Sequence, residues 1–198
     1  MSAAPSSQRL ARAVSILGHP LLVLPCSILL LAADDGDARQ LSRLAIGFAA
    51  FAVLVMSYSW WQVRRQHWAH VDASAQGERR SLNLFLLLAL AISAPLAWHG
   101  GLRELALGLG LSAMMIAVAL LSARWWTLSL HVAFAVFAAL LLLRAGALAT
   151  MLGLVFAALV AWSRLQLARH ARRDLVAGAI AGAGAGFACL QLSAAVGT

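Results

Sequence analysis

Charged residues are scarce in this 198-residue chain: they make up 11% of it, whereas 63% of the residues are hydrophobic. A soluble domain has about a quarter charged residues, so the composition excludes an ordinary soluble globular protein. Cysteine is also scarce, with two residues, and this excludes a small disulfide-stabilised scaffold. Intrinsic disorder requires low hydrophobicity, which this chain lacks. An integral membrane protein remains.

Lysine is absent, and all fifteen basic residues are arginines, against seven acidic residues. The net charge of +8 could indicate nucleic-acid binding, but the arginines lie between apolar runs and form no compact basic module. We therefore expect no nucleic-acid partner. An arginine excess between apolar runs is typical of a membrane topology signal, and the guanidinium fork also suits bidentate phosphate binding.

Seven apolar runs are each close to the length of a membrane-spanning helix. They cover residues 13–33, 44–61, 82–98, 105–123, 128–143, 145–162 and 175–196. The runs lack the alternation of a β-barrel strand, so the sequence predicts an all-α, polytopic transmembrane bundle of six to seven spanning helices. We expect a single membrane domain over residues 1–198, with its functional site at helix ends on one membrane face.

Two of these runs have features that bear on packing. The first contains His19, Pro20 and Pro25, which predict a kink and leave open whether the run crosses the membrane fully. The last contains glycines at four-residue spacing, which predicts close approach of a neighbouring helix; they are Gly178, Gly182 and Gly186. Aromatic side chains expected at a membrane interface are Trp60, Trp61, Trp68, Trp125 and Trp126.

Arginine is distributed unequally between the two faces that seven crossings would create. Eleven of the fifteen arginines fall on the face that contains the N-terminus and residues 62–81 and 163–174, with Arg124. The positive-inside rule assigns this face to the cytoplasm, for a multi-pass protein of the cell (inner) membrane. Arginines that bind substrate would bias the count, so a periplasmic face is the alternative.

The most informative motif follows the sixth apolar run, where Ser163, Arg164, His170 and Asp174 form the pattern S-R-x5-H-x3-D. In a helix, His170 and Asp174 lie on one side, so the carboxylate can orient an imidazole whose other nitrogen is nucleophilic. Arg164 supplies a fork for a phosphate. The alternative interpretation is a basic juxtamembrane helix that contacts lipid headgroups.

Two further polar segments fall on the same face. Ser129 and His131 stand at the start of the fifth run, and Glu78, Arg79 and Arg80 precede the third run together with Asp72. Each segment alone is typical of an interfacial or loop region. Their shared face with the S-R-x5-H-x3-D motif makes a common site the better interpretation.

Together the three segments resemble the type 2 phosphatidic acid phosphatase family, whose superfamily includes the vanadium haloperoxidases. The family's blocks read K-x6-R-P, P-S-G-H and S-R-x5-H-x3-D, and the third is matched in full. In the second block, Leu128 and Leu130 replace the family's proline and glycine. The resemblance covers residues 62–196 as a phosphatase-like core and leaves residues 1–61 as N-terminal helices.

The first block departs further from the family. Arg80 or Arg79 stands for its arginine, but Ser81 replaces the proline. Ala73 or Asp72 occupies the lysine position. One phosphate-binding cation of the family is thus replaced, and the two adjacent arginines could together supply two positive charges.

The resemblance implies an integral membrane phosphatase for lipid phosphates or diphosphates, of the phosphatidic acid or isoprenyl diphosphate class. It implies that His170 attacks phosphorus to give a phosphohistidine, that Asp174 orients His170, and that His131 protonates the leaving oxygen. The phosphoryl oxygens would be bound by Arg164, Arg80, Arg79 and Ser129. This scheme requires no metal and no other cofactor.

Other functions stay open at this point. His67, His70 and Asp72 form a generic H-x2-H-x-D metal pattern. A transporter would place polar groups near the bilayer midplane, whereas here they lie at helix ends. A catalytically inactive relative that binds or transports lipid is the main alternative. The lipid tail and the oligomeric state are not determined by the sequence.

Overall fold

The computed structural model of the chain describes residues 6–69 and 75–196. These residues form helices and no strands, which confirms the predicted all-α bundle. The α-helices are α1 (Ser6–Leu17), α2 (Pro20–Asp34), α3 (Ala38–Arg64), α4 (Gln76–His99), α5 (Arg103–Ser122), α6 (Leu130–Leu141), α7 (Ala147–Gln166) and α8 (Arg172–Val196). A 3-10 turn, Leu142–Ala145, extends α6.

The helices differ in how completely they could cross a membrane. Five of them, α3, α4, α5, α7 and α8, are long and apolar enough, and α1 with α2 forms a sixth candidate that is bent by 58°. The segment Leu130–Ala145 is a shorter apolar helix. Large apolar side chains face outward, including Ile46, Leu121 and Leu148, each at least 70% exposed. Such a surface suits lipid, and the fold is that of a multi-pass membrane protein.

The break between α1 and α2 occurs at the first of the two predicted positions. His19 caps α2 in an extended backbone conformation, and its Nδ1 accepts the N–H of Leu21 at 3.2 Å. Pro20 is the first residue of α2, where its missing N–H costs no helical hydrogen bond. Pro25 lies inside α2 without interrupting it. The kink therefore comes from the capped start of α2.

Helix α6 occupies the centre of the bundle and contacts α2, α7 and α8. Ala133 and Phe137 on it are fully buried. A Cβ on Gly178 would lie 2.5 Å from the Ser129 carbonyl oxygen, and one on Gly182 would lie 2.2 Å from that of Ala133. The predicted close approach is thus confirmed: the backbones of α8 and α6 touch. This contact brings the starts of both helices together.

The loop between α3 and α4 corrects one sequence prediction. Trp68 is only 4% exposed, and its Nε1 donates to Ser81 Oγ at 3.1 Å, so the expectation that it marks the membrane interface is wrong. The buried Glu78 accepts the backbone N–H groups of Ala69 and Ala75 at 2.8 and 2.9 Å. Glu78 therefore ties the residues on both sides of positions 70–74 to the start of α4. The other tryptophans of the predicted belt are exposed, and they are Trp60, Trp61, Trp125 and Trp126.

Candidate active site

Four of the predicted site residues share an unusual property. Among the described residues, every buried side-chain nitrogen or oxygen without a hydrogen-bond partner belongs to one of them: Ser129 Oγ, Arg164 Nε, His170 Nδ1 and Asp174 Oδ1. Folded proteins leave few buried polar atoms unpaired, because each costs about 1–3 kcal/mol. Two of these atoms face ionic partners, since His170 Nδ1 lies 3.6 Å from Asp174 Oδ2 and Asp174 Oδ1 lies 3.7 Å from Arg173 Nε. Ser129 Oγ and Arg164 Nε are thus left as donors for a polar ligand.

Asp174 lies in the first turn of α8, and its carboxylate is fixed from two directions. Oδ2 accepts the hydroxyl of Thr127 at 2.9 Å and the backbone N–H of Ala171 at 3.0 Å. Its backbone carbonyl accepts the N–H of Ser129 at 3.1 Å. The side chain is 6% exposed. Asp174 thus joins the start of α8 to the entry of α6.

His170 is paired with Asp174 in space, although the local structure differs from the prediction. The four-residue spacing predicts both residues on one helix, but α8 begins at Arg172 and His170 lies in the connection before it. Ala168, with φ +50°, turns the chain out of α7. His170 Nδ1 lies 3.6 Å from Asp174 Oδ2, which is too long for a direct hydrogen bond. The pairing is therefore electrostatic, and the predicted helical spacing is wrong.

The surroundings of His170 favour its neutral form. Burial lowers the pKa of His170, and the positive charge of Arg164 lowers it further. The Asp174 carboxylate opposes both effects, whereas the charge of Arg79 adds to the lowering. The pKa of His170 remains below the ordinary value, so the imidazole is neutral at pH 7. A neutral imidazole has a free lone pair and can act as a nucleophile.

Ser129 and His131 stand at the start of α6. Ser129 is the N-cap residue and is fully buried. The ring of His131 meets the ring of His19 edge-on, with centroids 5.3 Å apart and planes at 87°. His131 is also close enough to Arg164 and His170 for their charges to act on it. The two predicted histidines therefore belong to the same end of the bundle.

Arg164 lies in the last turn of α7 and is half-buried. Its Nη1 donates to Ser15 Oγ, on α1, at 2.9 Å. Nε of the same guanidinium is buried and has no hydrogen-bond partner, so it keeps a donor that suits an oxyanion. The neighbouring Ser163 of the motif instead donates its hydroxyl to the Val160 carbonyl at 2.7 Å, which places that hydroxyl within α7.

The two arginines that match the family's first block differ in their relation to the site. Arg79 and Arg80 lie near the start of α4 and are exposed. Arg79 is close enough for its charge to act on Arg164 and His170. Arg80 forms no hydrogen bond or ion pair with another residue in the described ranges. Asp72 and Ala73, considered for the lysine position, lie outside the described residues.

Of the alternative H-x2-H-x-D metal pattern, the structure describes His67 alone. His67 Nδ1 lies 3.2 Å from Gln62 Oε1, and His70 and Asp72 lie outside the described residues. Within residues 6–69 and 75–196, no three His, Cys, Asp or Glu side chains are grouped so as to hold a metal ion.

The substitutions in the second block are accommodated by the core. Leu128 is buried, Leu130 is partly buried, and both pack in the main hydrophobic cluster. The apolar packing takes up the volume of both leucines. Ser129 between them keeps its N-cap position.

Three residues near this site were missed by sequence reasoning: Ser15, His19 and Thr127. Ser15 is 149 residues from Arg164, and Thr127 is 47 from Asp174. No spacing rule connects residues so far apart, and His19 was interpreted only as part of a kink. Comparisons with protein-family models, curated proteins and solved structures returned no match.

Proposed function

We propose that the protein is an integral membrane phosphatase that hydrolyses lipid phosphates or diphosphates through a phosphohistidine on His170. The observation that best supports this proposal is that Ser129 Oγ and Arg164 Nε, both buried, have no hydrogen-bond partner. An arginine N–H and a serine hydroxyl are donors for a phosphoryl group. A neutral imidazole beside a fixed carboxylate is a nucleophile.

The first step uses the two histidines. Asp174 faces Nδ1 of His170 and favours the tautomer with the proton there, which leaves the lone pair on Nε2. Nε2 attacks phosphorus, the bond from phosphorus to the leaving oxygen breaks, and the imidazolium form of His131 donates a proton to that oxygen and becomes neutral. In the second step His131 takes a proton from water, the water oxygen attacks phosphorus, and the bond to Nε2 breaks to release phosphate.

Charge on the phosphoryl oxygens would be stabilised by Arg164 Nε and the Ser129 hydroxyl, with Arg79 and Arg80 as further cations. These positive charges are already in position before the reaction starts, so they stabilise the transition state without any reorganisation of solvent. The proposed scheme needs no metal ion. The position of these residues at helix ends suits a substrate whose phosphate lies at the headgroup level while its tail remains among lipids.

The proposal extends to location. We assign the site to the cytoplasmic face of the cell membrane, because eleven of fifteen arginines fall on that side in the predicted topology. The periplasmic face is the alternative, since arginines recruited for phosphate binding would produce the same count.

Phosphate release by the purified protein tests the proposal. In detergent with EDTA, the protein should release phosphate from isoprenyl diphosphates or phosphatidic acid. His170→Ala should lower kcat on the order of a thousandfold or more, and labelled substrate should leave an acid-labile phosphohistidine on the wild type only. His99→Ala, at the far end of α4, is the matched control and should stay active. Activity in His170→Ala would refute the mechanism.

Binding without turnover is a second candidate, favoured by the exposed position of Arg80 and by the missing family lysine. In that case the wild type would hydrolyse no lipid of the panel. It would nevertheless associate with liposomes that contain phosphatidic acid more strongly than Arg164→Gln does. Hydrolysis by the wild type would exclude this candidate.

A further inference from the structure

The break between α1 and α2 lies against the site, although it is far from the motif residues in sequence. It brings Ser15 to Arg164 and His19 to His131. Both partners belong to the proposed phosphatase machinery, so the break contacts the same groups that the motif segments supply. None of the motif blocks includes residues before position 62.

Ser15 holds one end of the Arg164 guanidinium. Its hydroxyl oxygen accepts from Nη1 at 2.9 Å, while Nε of the same group is buried and unpartnered. A guanidinium that is anchored at one nitrogen and free at another presents a fixed edge to an oxyanion. The anchoring reduces the rotamer freedom that binding would otherwise remove.

His19 is held by its own role as the cap of α2. Because its Nδ1 accepts the Leu21 N–H at 3.2 Å, that nitrogen is unprotonated and the neutral ring carries its proton on Nε2. The ring meets that of His131 edge-on at 5.3 Å, within the range in which aromatic rings attract each other. The hydrogen bond to Leu21 thus holds the His19 ring in place, and the His19 ring in turn restricts the orientations of the His131 ring.

The break itself is held against α7. A Cβ on Gly18 would lie 2.4 Å from Val160 Cγ2, so only glycine allows this approach. Val160 is fully buried and lies one turn before Arg164 on α7. The contact therefore fixes the break at the level of the site.

We infer that the α1–α2 break is a fourth part of the phosphatase site and supplies two positioning residues, Ser15 for Arg164 and His19 for His131. The inference rests on the proposed function and adds to it residues that touch no substrate. They act by limiting the orientations of two groups that do.

Two substitutions at His19 distinguish the role of its ring, which contacts His131, from its role as the N-cap of α2. His19→Asn keeps a side-chain acceptor for the N-cap and removes the ring, whereas His19→Phe keeps a ring and removes the acceptor. His19→Asn should retain the melting temperature and lower kcat roughly 10- to 100-fold with little change in KM, as a misplaced catalytic group does. His19→Phe should melt at a lower temperature and keep most of its kcat. An unchanged kcat in His19→Asn would show that His19 only caps α2 and would overturn this half of the inference; His99→Asn is the control.

Ser15→Ala tests the second contact. Loss of one hydrogen bond should weaken inhibition by inorganic phosphate roughly 3- to 10-fold, because Arg164 is then less well oriented. Ser7→Ala, an exposed position on the same helix, is the matched control. An unchanged inhibition constant in Ser15→Ala would overturn this half of the inference.

A readout that does not need turnover separates the two proposals. In protein labelled with 15N-histidine, the ring signals of His131, assigned by their loss in His131→Gln, should shift in His19→Asn and stay in place in His99→Asn. If the wild type hydrolyses no lipid phosphate, the proposed function fails while this contact is still measured. If the His131 signals do not respond to His19→Asn, the positioning role fails even in an active enzyme.

Discussion

At the scale of the residue, Asp174 joins more parts of the site than any motif could specify. Its carboxylate accepts from Thr127 and from the backbone of Ala171, and its carbonyl accepts from Ser129. The motif predicted that His170 and Asp174 pair, but the pairing does not come from helical spacing, because His170 lies before the start of α8. The contact with Thr127 depends on the packing of α8 against the entry of α6 and has no signature in the sequence.

The charges around His170 give a prediction about pH. The acid limb of log(kcat/KM) reports protonation of the free enzyme's base, and for the wild type it should lie below pH 6.5 because burial and Arg164 lower the pKa of His170. Asp174 raises that pKa, so Asp174→Asn should move the limb to lower pH while lowering kcat on the order of a hundredfold. Arg164→Gln should move it to higher pH.

The wild type, Asp174→Asn and Arg164→Gln are compared with the same substrate, so ionisation of the substrate affects all three pH profiles equally. Shifts of both variants in one direction would contradict the assignment of the limb to His170. The lowered pKa of His170 also affects stability. The unfolded state binds a proton on His170 near pH 6.5, whereas the folded state binds it only at lower pH. The free energy of unfolding should therefore fall as the pH drops below 6.5.

At the scale of the element, the apolar runs predicted where helices lie but not where they end. The run 44–61 lies within α3, Ala38–Arg64, because arginines near the ends continue the helix while their charged heads reach the headgroup region. The run 13–33 divides into α1 and α2 because His19 caps a new helix. The glycine spacing in α8 predicted a close approach, and the structure identifies α6 as the partner.

The contact between α6 and α8 should be sensitive to a single methyl group. In Gly182→Ala the new Cβ would overlap the Ala133 carbonyl, 2.2 Å away, so the helices must separate at a cost of about 1–3 kcal/mol. Thermal unfolding in detergent should occur at a lower temperature, and activity should fall because Ser129 and Asp174 lie on the separated helices. Gly184→Ala is the matched control, since nothing lies within 4 Å of its Cβ. Equal melting temperatures for the two variants would contradict the close contact.

At the scale of the whole molecule, eleven of the fifteen arginines fall on one face of the predicted topology, and the proposed site lies on that face. The opposite end has its own charged group, with Arg144 paired to Glu104 beside a cavity of about 240 Å³. Both residues of that pair are substantially exposed, so the pair contributes little to stability. Within residues 6–69 and 75–196, the buried side-chain nitrogen and oxygen atoms without a hydrogen bond all belong to residues of the arginine-rich face.

Cysteine labelling tests which face is cytoplasmic. In a background without Cys26 and Cys189, Ala75→Cys reports on the loop at the site face and Asp34→Cys on the opposite face; both positions are exposed. A membrane-impermeant maleimide applied to intact cells should label Asp34→Cys and spare Ala75→Cys until the membrane is opened. Labelling of Ala75→Cys from outside would place the site on the periplasmic face.

The sequence by itself determined the membrane class, the number of apolar segments and the S-R-x5-H-x3-D residues. These properties are local, since a spanning helix is defined by its length and composition and the motif by its spacing. The tertiary structure decided that His170 lies outside α8, that Trp68 is buried, and that the α1–α2 break reaches the site. These outcomes depend on contacts between segments as far as 149 residues apart, which form only when α8 packs on α6 and α1 packs on α7.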